Sequence, residues 1–167
     1  EYIDYLNRIG IIIFVHSISD TGKKRKNNED NVLTAVIDMR PTNAAPHRAL
    51  LLVCDGIGGH LAGEVASDFV CTQLGSKLLY LTQQFYNAPD LYTTISGFAS
   101  DVNQNLSELA AQNPSQAGMG TTVTGAIITR RLNAIGGRIL TFNIGDSRTY
   151  AFDAARYQRL TKDHSYV

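Results

Sequence analysis

The chain lacks the features that would identify several common classes of protein. Its 167 residues include fifteen basic and fifteen acidic residues, so the formal net charge is zero and does not favour nucleic acid or an anionic membrane as a partner. Two cysteines, Cys54 and Cys71, are too few for a disulfide framework, and we expect both to be reduced, buried side chains. The apolar segment Ile9 to Val15 is too short to span a bilayer, and nearby acidic residues argue against a signal peptide. These absences predict a cytoplasmic protein.

Two motifs of common phosphate-handling enzymes are also absent. Neither cysteine is followed by an arginine six residues later, so the loop of cysteine-nucleophile phosphatases is missing. The chain has no Gly-x-x-x-x-Gly-Lys-[Ser/Thr] loop, which argues against a P-loop nucleotide enzyme. One local excess of charge remains in the basic run 23–26, which suits either a solvated loop or a rim that attracts phosphate.

Hydrophobic periodicity predicts an α+β fold. Apolar residues recur at steps of three and four over about 62–81 and 91–111, which predicts two helices. We predict strands over 11–19, 31–38, 49–54, 121–129, 138–144, 149–152 and 157–160. This order favours sheet packed on sheet with helices outside, in one domain over residues 1–167.

Acidic residues at predicted strand ends suggest a metal site. Asp55 follows the apolar run 49–54 and opens a glycine-rich turn, where a carboxylate can hold a hard metal ion. Glu29 and Asp30 precede another predicted strand, and three carboxylates converge if the two strands are neighbours. A divalent cation would remove their repulsion, and oxygen ligands suit Mg²⁺ or Mn²⁺ better than Zn²⁺. The alternative is that Glu29 and Asp30 form a turn or a surface salt bridge.

Five motifs in chain order resemble the metal-dependent serine/threonine protein phosphatases of the PPM, or type 2C, family in their bacterial form. They are Ser19-Asp-Thr-Gly22 with Arg25 and Asn28-Glu-Asp30, then Val53-Cys-Asp-Gly-Ile-Gly-Gly-His60, Gly118-Met-Gly-Thr-Thr122, Asn143-Ile-Gly-Asp-Ser-Arg148 and Leu160-Thr-Lys-Asp-His-Ser165. The resemblance implies a β-sandwich flanked by helices, in four αββα layers. It also implies that the chain is the N-terminal portion of a longer catalytic domain, with the sandwich C-terminally incomplete.

The resemblance also implies the metal ligands. They are Glu29, Asp30, Asp55 and Gly56, with Asp55 bridging two Mn²⁺ or Mg²⁺ ions and a third, weaker ion near Asp146. The two ions would activate a water that attacks a phosphoserine or phosphothreonine phosphorus without a covalent intermediate. The alternative for Asp146 is a turn-forming aspartate that bonds to backbone amides.

Further roles follow from the same resemblance. Arg25 is the implied catalytic phosphate ligand, because a planar guanidinium can bind two phosphate oxygens, although the residues alone do not choose between it and the adjacent lysines. Ile57 replaces a histidine proposed as general acid in many eukaryotic members, so another proton source, such as water, is needed. We expect His60 to cap or pack the next helix, Arg148 to pair with an acid, and His164 to be structural.

Two functions fit these observations. The first is a phosphatase that acts on phosphorylated proteins and counteracts a cognate serine/threonine kinase. The second is a phosphatase-like binding or regulatory module that never completes its metal site. The family pattern has two further aspartate motifs beyond the equivalent of Val167, so we expect residues 1–167 alone to be a weak or inactive enzyme. An unrelated Mg²⁺-dependent hydrolase would require the motif order to be coincidental.

Overall fold

The structure is a computed structural model that describes residues 13–23, 26–38, 47–58, 62–83, 88–130 and 137–164. Its elements, in chain order, are β1 (Asp30–Asp38), β2 (His47–Ile57), α1 (Ala62–Gln83), α2 (Ala88–Gln112), a short 3-10 helix (Pro114–Gln116), β3 (Gly120–Thr121), β4 (Val123–Arg130), β5 (Gly137–Ile144), β6 (Tyr150–Phe152) and β7 (Tyr157–Arg159).

Strand β2 organises the main sheet. The strand order is β1-β2-β4-β5, all pairs are antiparallel, and the short strand β3 pairs with the end of β2. Alternate side chains of β2 point to opposite faces of the sheet. Leu50, Leu52 and Cys54 are fully buried on the face that packs against α1, whereas Val53, on the other face, is 41% exposed. Strands β6 and β7 form a separate two-stranded hairpin.

The helices cover one face of this sheet. Helix α1 packs on β1 and β2, and α2 packs on α1. Cys54 and Cys71 both lie in the resulting core as free thiols, as predicted. A hydrogen bond with the Cys71 thiol, together with burial, raises the pKa of the Cys54 thiol, so Cys54 remains protonated at neutral pH.

Arg48 is a buried charge that the sequence analysis did not identify. Its side chain lies on the same face of β2 as Leu50, the face that packs against the helices, and it is only 4% exposed. Its Nη1 donates a hydrogen bond to the carbonyl oxygen of Thr82 near the end of α1. The last turn of α1 contains no basic residue of its own. Arg48 therefore supplies the positive charge that stabilises a helix C-terminus, and burial lowers the pKa of its guanidinium.

Both predicted helices are confirmed, and three predicted strands differ from the structure. Residues 13–19 of the predicted first strand are irregular, because an apolar run becomes a strand only where another strand pairs with it. Strand β2 continues through Asp55 to Ile57, because β3 pairs with this part of it. The predicted strand 121–129 is interrupted at Thr122. Among the described residues, no helix is long and apolar enough to cross a membrane.

Candidate functional site

Asp30 and Asp55 form a directly opposed pair in the ladder between β1 and β2. Residues opposed in this way place their side chains on the same face, with Cβ atoms about 4.5–5.5 Å apart. Here that face is the one turned away from the helices. Asp55 is half-buried and Asp30 is exposed. Two carboxylates so close together repel, and a divalent cation between them would remove the repulsion.

Glu29 does not join this pair in the structure. Consecutive side chains of an extended chain point to opposite sides, so Glu29 is directed away from Asp30. Its carboxyl carbon lies 3.2 Å from the point where a Cβ on Gly63 would be, beside the first turn of α1. A helix N-terminus attracts a carboxylate. The predicted convergence of three carboxylates is therefore not found, and no group of three metal-binding side chains occurs among the described residues.

Gly56 lies where β2 and the start of α1 nearly touch. Its amide donates a hydrogen bond to the carbonyl oxygen of Glu29 at 3.0 Å. A Cβ at this position would lie 2.1 Å from the carbonyl oxygen of Gly63 and 2.7 Å from that of Glu29. Only glycine fits this contact, so Gly56 allows the helix to start directly beside the Asp55 strand.

The predicted phosphate ligand, Arg25, lies outside the described residues, and so does His60. Two described residues of the same motif are linked, because the Asn28 side-chain amide donates to the Ser19 hydroxyl at 2.7 Å. The side-chain oxygen of Asn28 also accepts from the backbone amide of Asp30 at 3.1 Å. Asn28 thus connects Ser19 to the Asp30 end of β1.

Asp146 lies in an exposed turn that its neighbours hold in place. Gly145 has a φ of +97°, which favours glycine, and its carbonyl oxygen accepts from the His164 amide and the Asn143 side chain, both at 2.9 Å. Within the described ranges, the Asp146 carboxylate makes none of the hydrogen bonds to backbone amides that the alternative explanation required. Asp146 is therefore exposed in a turn that hydrogen bonds to Gly145 stabilise, and its role as a metal ligand stays a prediction.

Arg148 pairs with an acid, as predicted. Its guanidinium donates to both carboxylate oxygens of Asp163, from Nε at 3.1 and 3.2 Å and from Nη2 at 2.7 Å. This pairing holds the pKa of the Asp163 carboxyl below its usual range. The fourth and fifth sequence motifs are thereby joined.

Thr122 is a residue of the site to which the sequence analysis gave no role. Its amide donates to the Asp55 carbonyl oxygen at 2.9 Å, and its hydroxyl accepts from the Asp55 amide at 3.2 Å. The same hydroxyl lies 2.6 Å from that of Ser147, which follows Asp146. No pattern in the sequence points to these bonds, because they depend on how β3 and β4 pair with β2.

The sequence model of the family described as Protein phosphatase 2C matches residues 25–166. The chain belongs to the protein phosphatase 2C family. It is 31% identical over 149 residues to the serine/threonine phosphatase stp of Listeria welshimeri, covering 89% of this chain and 54% of that protein. It is 32% identical over 150 residues to the protein phosphatase PhpP of Streptococcus pneumoniae, covering 90% and 54%.

Solved structures agree with this placement in the protein phosphatase 2C family. The catalytic domain of the serine/threonine protein phosphatase PstP, in complex with two manganese ions, matches with a TM-score of 0.63 and 32% identity, over 87% of this chain and 54% of that one. The predicted resemblance and α+β fold are therefore confirmed. The chain spans about half the length of the curated relatives that it matches.

Proposed function

We propose that this chain is part of a metal-dependent phosphatase that hydrolyses phosphoserine and phosphothreonine in proteins. The observation that carries the proposal is the opposition of Asp30 and Asp55 across the β1–β2 ladder, in a chain of the protein phosphatase 2C family. The relatives stp and PhpP are named as phosphatases, and the PstP catalytic domain was solved with two manganese ions.

Asp30 and Asp55 fit a hard divalent cation, because both offer oxygen ligands on one face of the sheet. Divalent ions bound here would activate water and stabilise charge on the phosphoryl oxygens. Asp55 would bridge the two Mn²⁺ or Mg²⁺ ions in this proposal, with Asp30 and the Gly56 carbonyl as further ligands. Glu29, which is directed towards the start of α1, is not among them. Asp146 would serve a third ion.

Arg25 binds the substrate phosphate in this proposal. Two other residues of the same motif support this role, because Asn28 bonds to both Ser19 and the backbone amide of Asp30. Ile57 is 59% exposed at the end of β2 and has no proton to donate. The leaving alkoxide therefore takes its proton from another source, such as water.

We also propose a setting for this activity. Phosphorylated proteins are the substrates, a serine/threonine kinase phosphorylates them, and the location is cytoplasmic. Two free thiols in the core, Cys54 and Cys71, suit a reducing compartment. Residues 1–167 form one domain in this proposal, as the N-terminal portion of a longer catalytic domain.

A second function, a phosphatase-like binding or regulatory module, is favoured by one observation. No cluster of three metal-binding side chains occurs among the described residues. Such a module would bind phosphorylated proteins without turning them over.

Asp55→Asn distinguishes these functions, with Asp101→Asn as the matched control. Asp101 is exposed on α2 and pairs with Lys77. Loss of even an outer-shell partner costs roughly 10- to 100-fold in metal affinity, so Asp55→Asn should weaken Mn²⁺ binding at least that much in calorimetry. In the longer catalytic domain that this proposal assigns to the chain, Asp55→Asn should also lose Mn²⁺-dependent hydrolysis of p-nitrophenyl phosphate and of a phosphothreonine peptide, whereas Asp101→Asn should match the wild type.

Two other outcomes would decide against the metal assignment or in favour of the binding module. Unchanged Mn²⁺ affinity in Asp55→Asn would refute the metal assignment. A longer catalytic domain that binds Mn²⁺ and a phosphothreonine peptide without turnover would favour the binding module.

A further inference from the structure

The ladder between β2 and the strands that follow the helices is irregular at one point, opposite Asp55. In a regular antiparallel pair, Asp55 and Thr122 would exchange two backbone hydrogen bonds. Only one of these is present, from the Thr122 amide to the Asp55 carbonyl oxygen at 2.9 Å. The Asp55 amide donates instead to the Thr122 hydroxyl at 3.2 Å, and the Thr122 carbonyl oxygen accepts from the Thr121 hydroxyl at 3.0 Å. A side chain thus replaces a backbone group as the partner of Asp55.

The Thr122 hydroxyl also reaches the turn that contains Asp146. A hydroxyl can accept and donate at the same time, so Thr122 can accept from Asp55 while sharing a hydrogen bond of 2.6 Å with the Ser147 hydroxyl. Either oxygen of that pair can be the donor. The two residues that flank Asp146 both contact Thr122, since a Cβ on Gly145 would lie 2.8 Å from the Thr122 methyl carbon.

Burial shields this connection from water. Thr122 is only 3% exposed, so water does not readily replace the partners of its hydroxyl. Removal of the hydroxyl would leave the Asp55 amide and the Ser147 hydroxyl without this partner in a largely buried place, which is unfavourable. The side chain is therefore suited to fix the distance between the Asp55 backbone and the Asp146 turn.

We infer that Thr122 is a positioning residue, whose hydroxyl sets the Asp55 backbone relative to the Asp146 turn through Ser147. This inference rests on the proposed function, in which Asp55 is the bridging metal ligand. Thr122 is not itself proposed as a ligand of metal or substrate. It acts by holding two acidic segments, one on β2 and one after β5, in a single arrangement.

The test compares Thr122→Val with Thr122→Ser in the longer catalytic domain that the proposed function assigns to this chain. Valine keeps the shape and removes the hydroxyl, whereas serine keeps the hydroxyl and removes the methyl group. We expect Thr122→Val to weaken Mn²⁺ binding roughly 10- to 100-fold in calorimetry, by analogy with outer-shell partners of metal sites. Thr122→Ser should restore most of that affinity.

Thr124→Val is the matched control for general destabilisation. Thr124 lies two residues further on, is buried, and shares a hydrogen bond of 2.9 Å with the Thr149 hydroxyl. It faces Val53 rather than Asp55 in the ladder. Thr124→Val should lower the thermal midpoint about as much as Thr122→Val while leaving the Mn²⁺ affinity unchanged.

Ser147→Ala tests the hydrogen bond between the Thr122 and Ser147 hydroxyls without changing the bonds between Asp55 and Thr122. It should weaken Mn²⁺ binding in the same direction but less than Thr122→Val. The double variant should bind no more weakly than Thr122→Val alone, because both changes break one connection.

The outcomes separate this inference from the proposed function. If Asp55→Asn loses Mn²⁺ binding but Thr122→Val binds as the wild type does, only the role of Thr122 is refuted. Equal losses of affinity in Thr122→Val and Thr124→Val would also refute it, since a general loss of stability would then explain both. If the wild-type catalytic domain binds no Mn²⁺, or if Asp55→Asn binds it normally, the proposed function fails and this inference fails with it.

Discussion

The contact between Gly56 and the start of α1 predicts that Gly56→Ala disrupts the site. A Cβ on Gly56 would lie 2.1 Å from the Gly63 carbonyl oxygen, whereas real Cβ contacts essentially never fall below 3.0 Å. The obstructing atoms belong to the backbone, so no side-chain rotation relieves the overlap. Strand and helix must separate by about 1 Å at this point.

That separation should affect both activity and stability. Gly56 follows Asp55 directly, and its amide donates a hydrogen bond to the carbonyl oxygen of Glu29, which precedes Asp30. A shift of the Gly56 backbone therefore moves Asp55 relative to Asp30, the two predicted metal ligands that face each other. A displacement near 1 Å can cost about 10²-fold in rate. Overpacking of this kind costs about 1–3 kcal/mol, or roughly 3–10 °C in thermal midpoint for a chain of this length.

The assay is Mn²⁺-dependent hydrolysis of p-nitrophenyl phosphate by the longer catalytic domain of the proposed function, with thermal unfolding followed by circular dichroism. Gly97→Ala is the control, because Gly97 is exposed within α2 and an added Cβ would meet nothing within 4 Å. This control should stabilise the chain by about 0.5–1 kcal/mol through helix propensity and leave turnover unchanged. If Gly56→Ala matched the wild type in both turnover and thermal midpoint, the close approach of α1 to β2 would be wrong.

Two further predictions concern charges outside the metal site. Arg48→Met should destabilise the chain by about 1–3 kcal/mol in urea unfolding, because the Thr82 carbonyl loses its buried donor. Arg138→Met, at an exposed position of β5, is the control and should have little effect. Equal urea midpoints for the two variants would contradict this prediction. The pairing with Arg148 lowers the pKa of the Asp163 carboxyl in the folded chain. This pairing therefore stabilises the fold at pH values above the unfolded pKa of about 3.9. The contribution is lost as the pH falls through the folded pKa. A carboxyl NMR titration should place the Asp163 midpoint below 3.9 and move it upward in Arg148→Gln, and an unchanged midpoint in that variant would exclude the assigned cause.

Local pattern was sufficient to predict the helices but not the pairing of the strands. Helix α1 was predicted over 62–81 and spans Ala62–Gln83, because one face of it is buried along its whole length and periodicity records that face. The opposition of Asp30 and Asp55 depends on the register of β1 against β2, which no single segment encodes. The glycine-rich sequence after Asp55 suggested a turn, yet pairing with β3 keeps Gly56 and Ile57 extended.

The residues of the candidate site differ in how predictable they were. The direction of Glu29 follows from the two-residue repeat of an extended chain and was available from the sequence. The contacts of Thr122 with Asp55 and of Arg48 with Thr82 could not be predicted from the sequence. The partners are distant in sequence and come together only when the sheet and helix have formed.

The two-sided character of β2 has a consequence for how reliably the site can form. The strand places Leu52 and Cys54 towards the helices and Asp55 towards the opposite face. A slip of one residue in pairing would exchange the two faces. It would drive the Asp55 carboxylate into the apolar core and expose Leu52 and Cys54, both of which are unfavourable. A slipped register of β2 would therefore destabilise the core and separate Asp55 from Asp30, so the packing of the core also fixes the position of Asp55.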